Sequence, residues 1–260
     1  MRGIRVHAIG GPTAVLELGG VRLVTDPTFD EPREYVMGDG RVLAKTAGPA
    51  IGPGQIGPVD AVLLSHDQHV DNLDVTGRDY LTQVPLVLTT ASAAERLGGA
   101  CRAVAAWDYV ELARPGAGTL RVTRVPALHG PDGTEHIVGE VAGFVLSGDG
   151  VPTVYVSGDN ASLGIVRAIA GRFSRIDVAI LFAGAAKTAL VDGYLTLTSA
   201  QAAEAARIMN APQVVPLHFN SWRHFTEGGD DLSKAFAEVN LTDRLTLLAP
   251  GESSIIADDL

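Results

Sequence analysis

Histidine and aspartate are the residues of this chain best suited to chemistry, because they gather where short apolar runs end. The run AVLLS closes on Ser65-His66-Asp67-Gln68-His69-Val70-Asp71-Asn72-Leu73-Asp74, which puts two imidazoles and three carboxylates into one short turn. Imidazole is the commonest protein ligand for first-row divalent metals and carboxylate its usual hard partner, so a turn of this composition can wrap an ion. A solvated polar turn has the same composition, and this segment alone leaves both readings open. Three further runs close in the same way, on Pro126-Ala127-Leu128-His129-Gly130, Ser157-Gly158-Asp159-Asn160 and Val215-Pro216-Leu217-His218-Phe219. Side chains at neighbouring strand ends converge along one sheet edge, so the four loops taken together favour metal binding.

The elements that must position these residues are short. Residues 4–9, 14–18 and 21–25 read as consecutive strands, the last two joined through Gly19-Gly20, where glycine supplies the positive φ of a tight hairpin. The stretch 29–58 is rich in Gly and Pro and has too little apolar periodicity for an element of its own. It reads as a long loop, either a surface excursion or a cover over a site. Strands are expected at 61–65, 86–89, 120–125, 143–146, 153–157, 178–182 and 214–217, with helices at 92–97, 163–173 and 200–209. The second half thus alternates strand and helix. LGGVRLVTDP (18–27) and DGVPTVYVSGDN (149–160) each run glycine turn, strand, aspartate, an echo that leans toward a two-sheet sandwich.

Composition narrows the classes. With 46% hydrophobic and 19% charged residues and no compositional break, residues 1–260 are expected to form one domain. A formal net charge of −10 repels polyanions and argues against nucleic acid as the main partner. The start MRGIRVHAIGG lacks the apolar run of a signal peptide, and no uninterrupted apolar segment of ~20 residues occurs. The expectation is a cytoplasmic protein without stable membrane insertion. The lone Cys101 can neither close an internal disulfide nor build a cysteine cluster, so His and carboxylate must hold any metal. A small-molecule substrate is the expected partner, with homo-oligomerisation left open.

The order of the motifs resembles the metallo-β-lactamase superfamily, whose signature is HxHxDH followed by a later His, a Gly-Asp and a final His. TAVLELGGVRLVTDPTF (13–29), the turn ending in Asp71-Asn72-Leu73-Asp74, YVSGDN (155–160) and PLHF (216–219) are similar to one branch of it. That branch contains ascorbate-6-phosphate lactonases and N-acyl-phosphatidylethanolamine phospholipases. The resemblance spans nearly the whole chain and implies an α/β (α+β) fold, the four-layer αββα sandwich with its site at one sheet edge. It also implies a metal-dependent hydrolase that uses one or two divalent ions, zinc first, with manganese and iron as alternatives.

Carried over by position, the resemblance makes His66, His69 and His129 ligands of a first ion. Asp71 and His218 belong to a second, and Asp159 bridges the two. A divalent ion lowers the pKa of water from 15.7 toward ~7 and polarises the bond under attack, so no protein nucleophile is required. Asp71 is the expected catalytic residue, orienting or deprotonating that water, with support of a ligand imidazole as its alternative task. The expected substrate is a small ester, lactone or phosphoester.

Three departures from the signature stand out. His66 and His69 are separated by two residues where the signature has one, so Gln68 reads as an insertion, and Asp67 is the first ligand if the frame slides instead. Asn72 replaces the signature's last histidine, and an amide is a poorer ligand than imidazole, which makes the second site the weaker one. Gly11-Pro12 stands where the branch has Gly-His. His7, His136 and His224 have no counterpart in the signature and are expected to be structural or surface residues. Of these, His136 and His224 follow motif histidines closely enough to reach a substrate. Two other classes stay open: a ligand-binding relative without turnover and a di-iron redox protein on the same fold.

Overall fold

Strands that are apolar on both faces must be covered on both faces, and this rule sets the layering of the chain. The computed structural model describes residues 3–116 and 118–257. Its first sheet is built from β1 (Ile4–Gly10), β2 (Thr13–Leu18) and β3 (Val21–Thr25), followed by β6 (Ala61–Leu63), β7 (Val87–Thr89) and β8 (Cys101–Ala103). A strand from the far end of the chain, β15 (Ser253–Ile256), pairs with the free edge of β1. The second sheet runs in the order β14 (Gln213–Leu217), β13 (Val178–Phe182), β12 (Val154–Val156), β11 (Val141–Ser147), β10 (Thr119–Ala127) and β9 (Tyr109–Ala113).

Strand β13 shows how the layers arise. Val178, Ile180 and Phe182 point into the space between the sheets, where they meet Ile4, Leu16 and Leu23 of the first sheet. Alternate residues Ala179 and Leu181 point outward to the helices, as the two-residue period of a strand requires. Each large side chain buried this way contributes about 1.5–3 kcal/mol relative to exposure. The outer face of the second sheet carries α5 (Leu163–Arg172), α6 (Ser199–Met209) and α7 (Gly229–Glu238), through Val166, Ile169, Ala202, Leu232 and Phe236. Helix α6 starts at a capping box, with Gln201 N donating to Thr198 Oγ1 at 3.2 Å and Thr198 N donating to Gln201 Oε1 at 3.0 Å. The outer face of the first sheet is covered by α1 (Pro53–Ile56) and α2 (Val75–Leu81), through Ile56, Tyr80 and Leu81. Two short helices, α3 (Ala91–Leu97) and α4 (Glu135–Val138), lie in connections. The result is helix, sheet, sheet, helix: the αββα sandwich.

The glycine-turn echo corresponds to a real equivalence. β2 and β3 pair antiparallel and β3 then pairs parallel with β6, while β11 and β12 pair antiparallel and β12 then pairs parallel with β13. Asp26 and Asp159 therefore follow corresponding strands of the two sheets.

One sequence expectation is corrected. The stretch 29–58 has elements of its own, a hairpin of β4 (Arg33–Val36) and β5 (Val42–Lys45) as well as α1. Its order comes from contacts distant in sequence rather than from internal periodicity. Tyr35 stacks on Trp222 with ring centroids 5.7 Å apart, and the buried Lys45 Nζ donates to Asp74 Oδ2 at 2.9 Å. Among the described residues, no helix is long and apolar enough to cross a membrane.

Candidate metal centre

The parallel neighbours β3 and β6 end side by side, and their ends aim the first histidine. The Asp26 carboxylate accepts from Ser65 N and Ser65 Oγ, both at 2.6 Å, and Ser65 Oγ sits 2.9 Å from His66 Nδ1. That chain leaves His66 Nε2 free to face the site, where it lies 2.9 Å from His69 Nδ1. His129, at the end of β10, brings its Nε2 to 3.1 Å from the same His69 Nδ1. On the other side of its ring, His129 Nδ1 lies 2.7 Å from the carbonyl oxygen of Leu195. A carbonyl only accepts, so Nδ1 carries the proton and Nε2 presents a lone pair.

Of the three carboxylates in the turn after β6, one faces the site. Asp67 is turned to Arg96, whose Nε donates to its Oδ2 at 3.0 Å, so His66 and His69 rather than Asp67 share the histidine cluster. Asp74 caps α2 through Gly77 N at 2.8 Å and also accepts from Phe29 N, Asp30 N and Lys45 Nζ, which makes it the anchor of the surrounding loops. Asp71 remains, and its Oδ2 lies 3.4 Å from His218 Nε2. Asp159 Oδ1 lies at the same 3.4 Å from His218 Nε2.

Backbone geometry at these ends is unusual. Gly158, just before Asp159, has φ of 55°, and a Cβ there would collide with the carbonyl oxygen of Ala142. His218 itself has φ of 57°, a left-handed conformation that non-glycine residues adopt at a cost of order 1–3 kcal/mol and that clusters at functional sites. Its N–H donates to Gly11 O at 2.9 Å, so the Gly11-Pro12 turn holds the His218 loop.

The six residues expected from the sequence fall into two neighbouring sets, His66/His69/His129 and Asp71/Asp159/His218, each with its donor atoms within 4.8 Å of one another. Their electrostatics differ. Burial first, then His69, holds the His66 imidazole well below its ordinary value, and burial with His129 pushes His69 down to about 4. These imidazoles stay neutral and keep their lone pairs. Burial opposes ionisation of Asp71 and Asp159, but His224 and His218 hold Asp71 well below the carboxylate range, and His218 with His129 does the same for Asp159. Burial pushes His218 down, yet Asp159 and Asp71 raise it to about 10. The second pocket thus draws positive charge to itself. Both sets fit a divalent cation: imidazole nitrogens converge in one, and paired carboxylates surround an imidazole with no hydrogen-bond partner on either nitrogen in the other.

Of the histidines outside the signature, His7 lies in β1 and His136 is exposed in α4, its Nδ1 2.9 Å from Gly133 O. His224 departs from the expectation of a structural or surface role. Its Nε2 lies 3.0 Å from Asp71 Oδ2. The available sequence signal was its position six residues after His218, in a chain whose turn lacks one histidine.

A cavity of about 320 Å³ opens over the centre, with His69, Asp71, His129 and His224 in its floor. Met37, Val42 and Leu43 of the β4–β5 hairpin form one wall, and Ile137, Leu190 and Leu195 contribute to the rest. Arg41 Nη1 donates to Thr188 Oγ1 at 2.7 Å, joining the hairpin to the loop across the opening.

Residues 21–219 match the sequence profile of the beta-lactamase superfamily domain. The chain belongs to the metallo-β-lactamase superfamily. A UPF0173 metal-dependent hydrolase from Methanosphaerula palustris is 36% identical over 141 residues, which cover 52% of this chain and 59% of the relative. The match therefore spans little more than half the length of that relative. Among solved structures, the isothiocyanate hydrolase from Delia radicum gut bacteria superposes with a TM-score of 0.80 at 19% identity, over 97% of this chain and 98% of that chain. The metallo-beta-lactamase fold protein YhfI from Bacillus subtilis superposes with a TM-score of 0.64 at 16% identity, over 97% of this chain and 99% of that chain. At these identities the two structures share the sandwich with this chain, and the fold alone is what the likeness shows.

Proposed function

We propose that this superfamily member is a metal-dependent hydrolase, acting as a single domain on small esters, lactones or phosphoesters. The observation that carries the reading is the pair of donor sets lying beside a cavity of about 320 Å³. That volume sits at the small end of ligand pockets, roughly 300–1,000 Å³, and suits a small molecule. The apolar walls with Arg41 and Lys187 among the lining residues favour a substrate with an apolar body and a polar or anionic end. The relative named a metal-dependent hydrolase supports the same reaction class. The lone Cys101 suits a reducing compartment, and a cytoplasmic setting is part of the reading.

His66, His69 and His129 would hold a first ion, a set suited to zinc, and Asp71, Asp159 and His218 a second, a set suited to zinc, manganese or iron. When bound, a divalent ion lowers the pKa of water and polarises the bond under attack. The protein's own residues do the rest. Asp71 is the carboxylate of the two that lines the cavity; it stays ionised and so accepts a hydrogen bond from the attacking water and orients it. The hydrophobic walls limit bulk water, which strengthens each charge interaction inside.

The test is a panel of esters, lactones and phosphodiesters offered to protein purified without chelator, alongside elemental analysis. One or two ions per chain are expected, with hydrolysis lost to a chelator and restored by metal. Asp71→Asn should lower kcat by about 10²- to 10⁴-fold. A chain that holds no metal, or hydrolyses equally well in chelator, would overturn the reading.

A further inference from the structure

We propose that His224, not Asn72, is the fourth protein donor of the set formed by Asp71, Asp159 and His218. The inference rests on the two-ion reading above and adds a ligand for which the superfamily signature has no place.

Asn72 occupies the signature position but is already committed. It is fully buried, and its Nδ2 donates to Asp26 Oδ2 and to Asp159 Oδ1, both at 3.1 Å. An amide nitrogen has no lone pair to offer an ion, and both Nδ2 hydrogen bonds go to carboxylates, while the amide oxygen is buried without a hydrogen-bond partner. Asn72 thus ties together the two aspartates that follow β3 and β12. It works as a strut.

His224 stands where a donor is lacking. Its Nε2 lies 3.0 Å from Asp71 Oδ2, and His218 Nε2 lies 3.4 Å from the same oxygen. Donor atoms bonded to one tetrahedral zinc at ~2.0–2.1 Å stand ~3.3 Å apart, so the Asp71 oxygen stands at ligand separation from both imidazoles. His224 lies outside the set whose donor atoms are all within 4.8 Å of one another and must swing toward Asp159 and His218 for an ion to engage it. The ring approaches from the cavity side, beside Asp71. Its backbone is held on two flanks: Lys187 N donates to His224 O at 3.3 Å, and Arg223 N donates to Ala44 O of the hairpin at 3.0 Å. Two residues on, Thr226 N donates to Gly184 O at 3.1 Å. A ligand lost from the turn after β6 is thereby replaced from the loop after β14, and the β4–β5 hairpin helps position it.

The experiment is calorimetric titration of the full chain, stripped of metal, with zinc, for wild type, His224→Gln and His136→Ala, followed by visible spectra of the cobalt-loaded proteins. Wild type and His136→Ala should each bind two ions. His224→Gln should keep the first and bind the second at least ~10-fold more weakly, with altered cobalt bands that mark the loss of a nitrogen donor. If His224→Gln binds both ions with wild-type affinity and an unchanged spectrum, His224 is no ligand and the two-ion reading survives. If wild type binds fewer than two, the two-ion reading fails and takes the inference with it. A crystal structure of the zinc-loaded wild type settles the point without a variant: His224 Nε2 at ~2.1 Å from the second ion supports it, and a separation beyond ~3 Å overturns it.

Discussion

Asp26 and Asp159 end the same local pattern of glycine turn, strand and aspartate, and both are 1% exposed, yet their surroundings shift their carboxyls in opposite directions. Around Asp26 the partners are neutral donors, Ser65 and Asn72, and burial prevails, so its carboxyl is pushed up to about 7. Around Asp159, burial is outweighed by His218 and His129, and the carboxyl is held well below its ordinary range. One strand end braces the site and the other enters it. Charge neighbours from other parts of the chain, rather than the motif or its depth, assign the roles.

The largest expected difference between the two is chemical. Asp159→Asn should weaken metal binding at the second set and cut hydrolysis at least ~100-fold, whereas Asp26→Asn, which only loosens the Ser65 brace on His66, should retain both ions and lose about 10-fold. Initial rates and elemental analysis of the two variants, side by side, check this. Equal losses would mean that the two aspartates share one role.

A smaller difference is conformational. Asp26 itself takes the positive φ, 25°, after the first strand, while the second pattern places a φ of 55° on Gly158. Gly158→Ala should therefore cost about 1–3 kcal/mol, because the added Cβ meets both the left-handed backbone and the carbonyl of Ala142. Urea denaturation measures it, and a variant as stable as wild type would remove the strain argument.

The remaining expected difference is a pH dependence. A carboxyl whose pKa is raised on folding binds more protons folded than unfolded, so its contribution is fully present below the unfolded pKa of ~3.9 and is lost as pH rises to about 7. Asn at position 26 cannot titrate. The Tm of Asp26→Asn relative to wild type, both stripped of metal, should shift in the variant's favour between about pH 5 and about pH 8. A difference that stays constant across that range would mean Asp26 is ionised throughout.

The expected strands at 4–9, 120–125, 178–182 and 214–217 all appear: the first three are interior to a sheet, and β14, although it ends its sheet, is buried from Val214 to Leu217, so each carries a clear apolar signal. Strands β8, β9 and β15 lie at sheet edges, alternate with exposed residues and carry little apolar signal, which is why periodicity missed them. The β4–β5 hairpin escaped for a related reason: it is ordered by Trp222 and Asp74, residues of other segments. Within the site, the ligand-type residues at strand ends were legible by type and position. The engagement of Asp67 with Arg96 was not, nor was the approach of His224 to Asp71, since each partner lies at least 29 residues away.

By itself the amino-acid sequence determined which residue types follow which strands, because a β-strand reports its two-residue period locally and its end is marked by a glycine or a polar turn. It also determined that histidine and carboxylate were the only donors in sufficient number, since the chain has one cysteine. The tertiary structure decided which of those donors meet. It sent Asp74 to a helix cap and Asp67 to Arg96, set Asn72 between two carboxylates, and brought His224 to Asp71. The physical reason is range: propensity and capping act over a few residues, while coordination and pKa depend on atoms within a few ångströms that arrive from strand ends of different sheets.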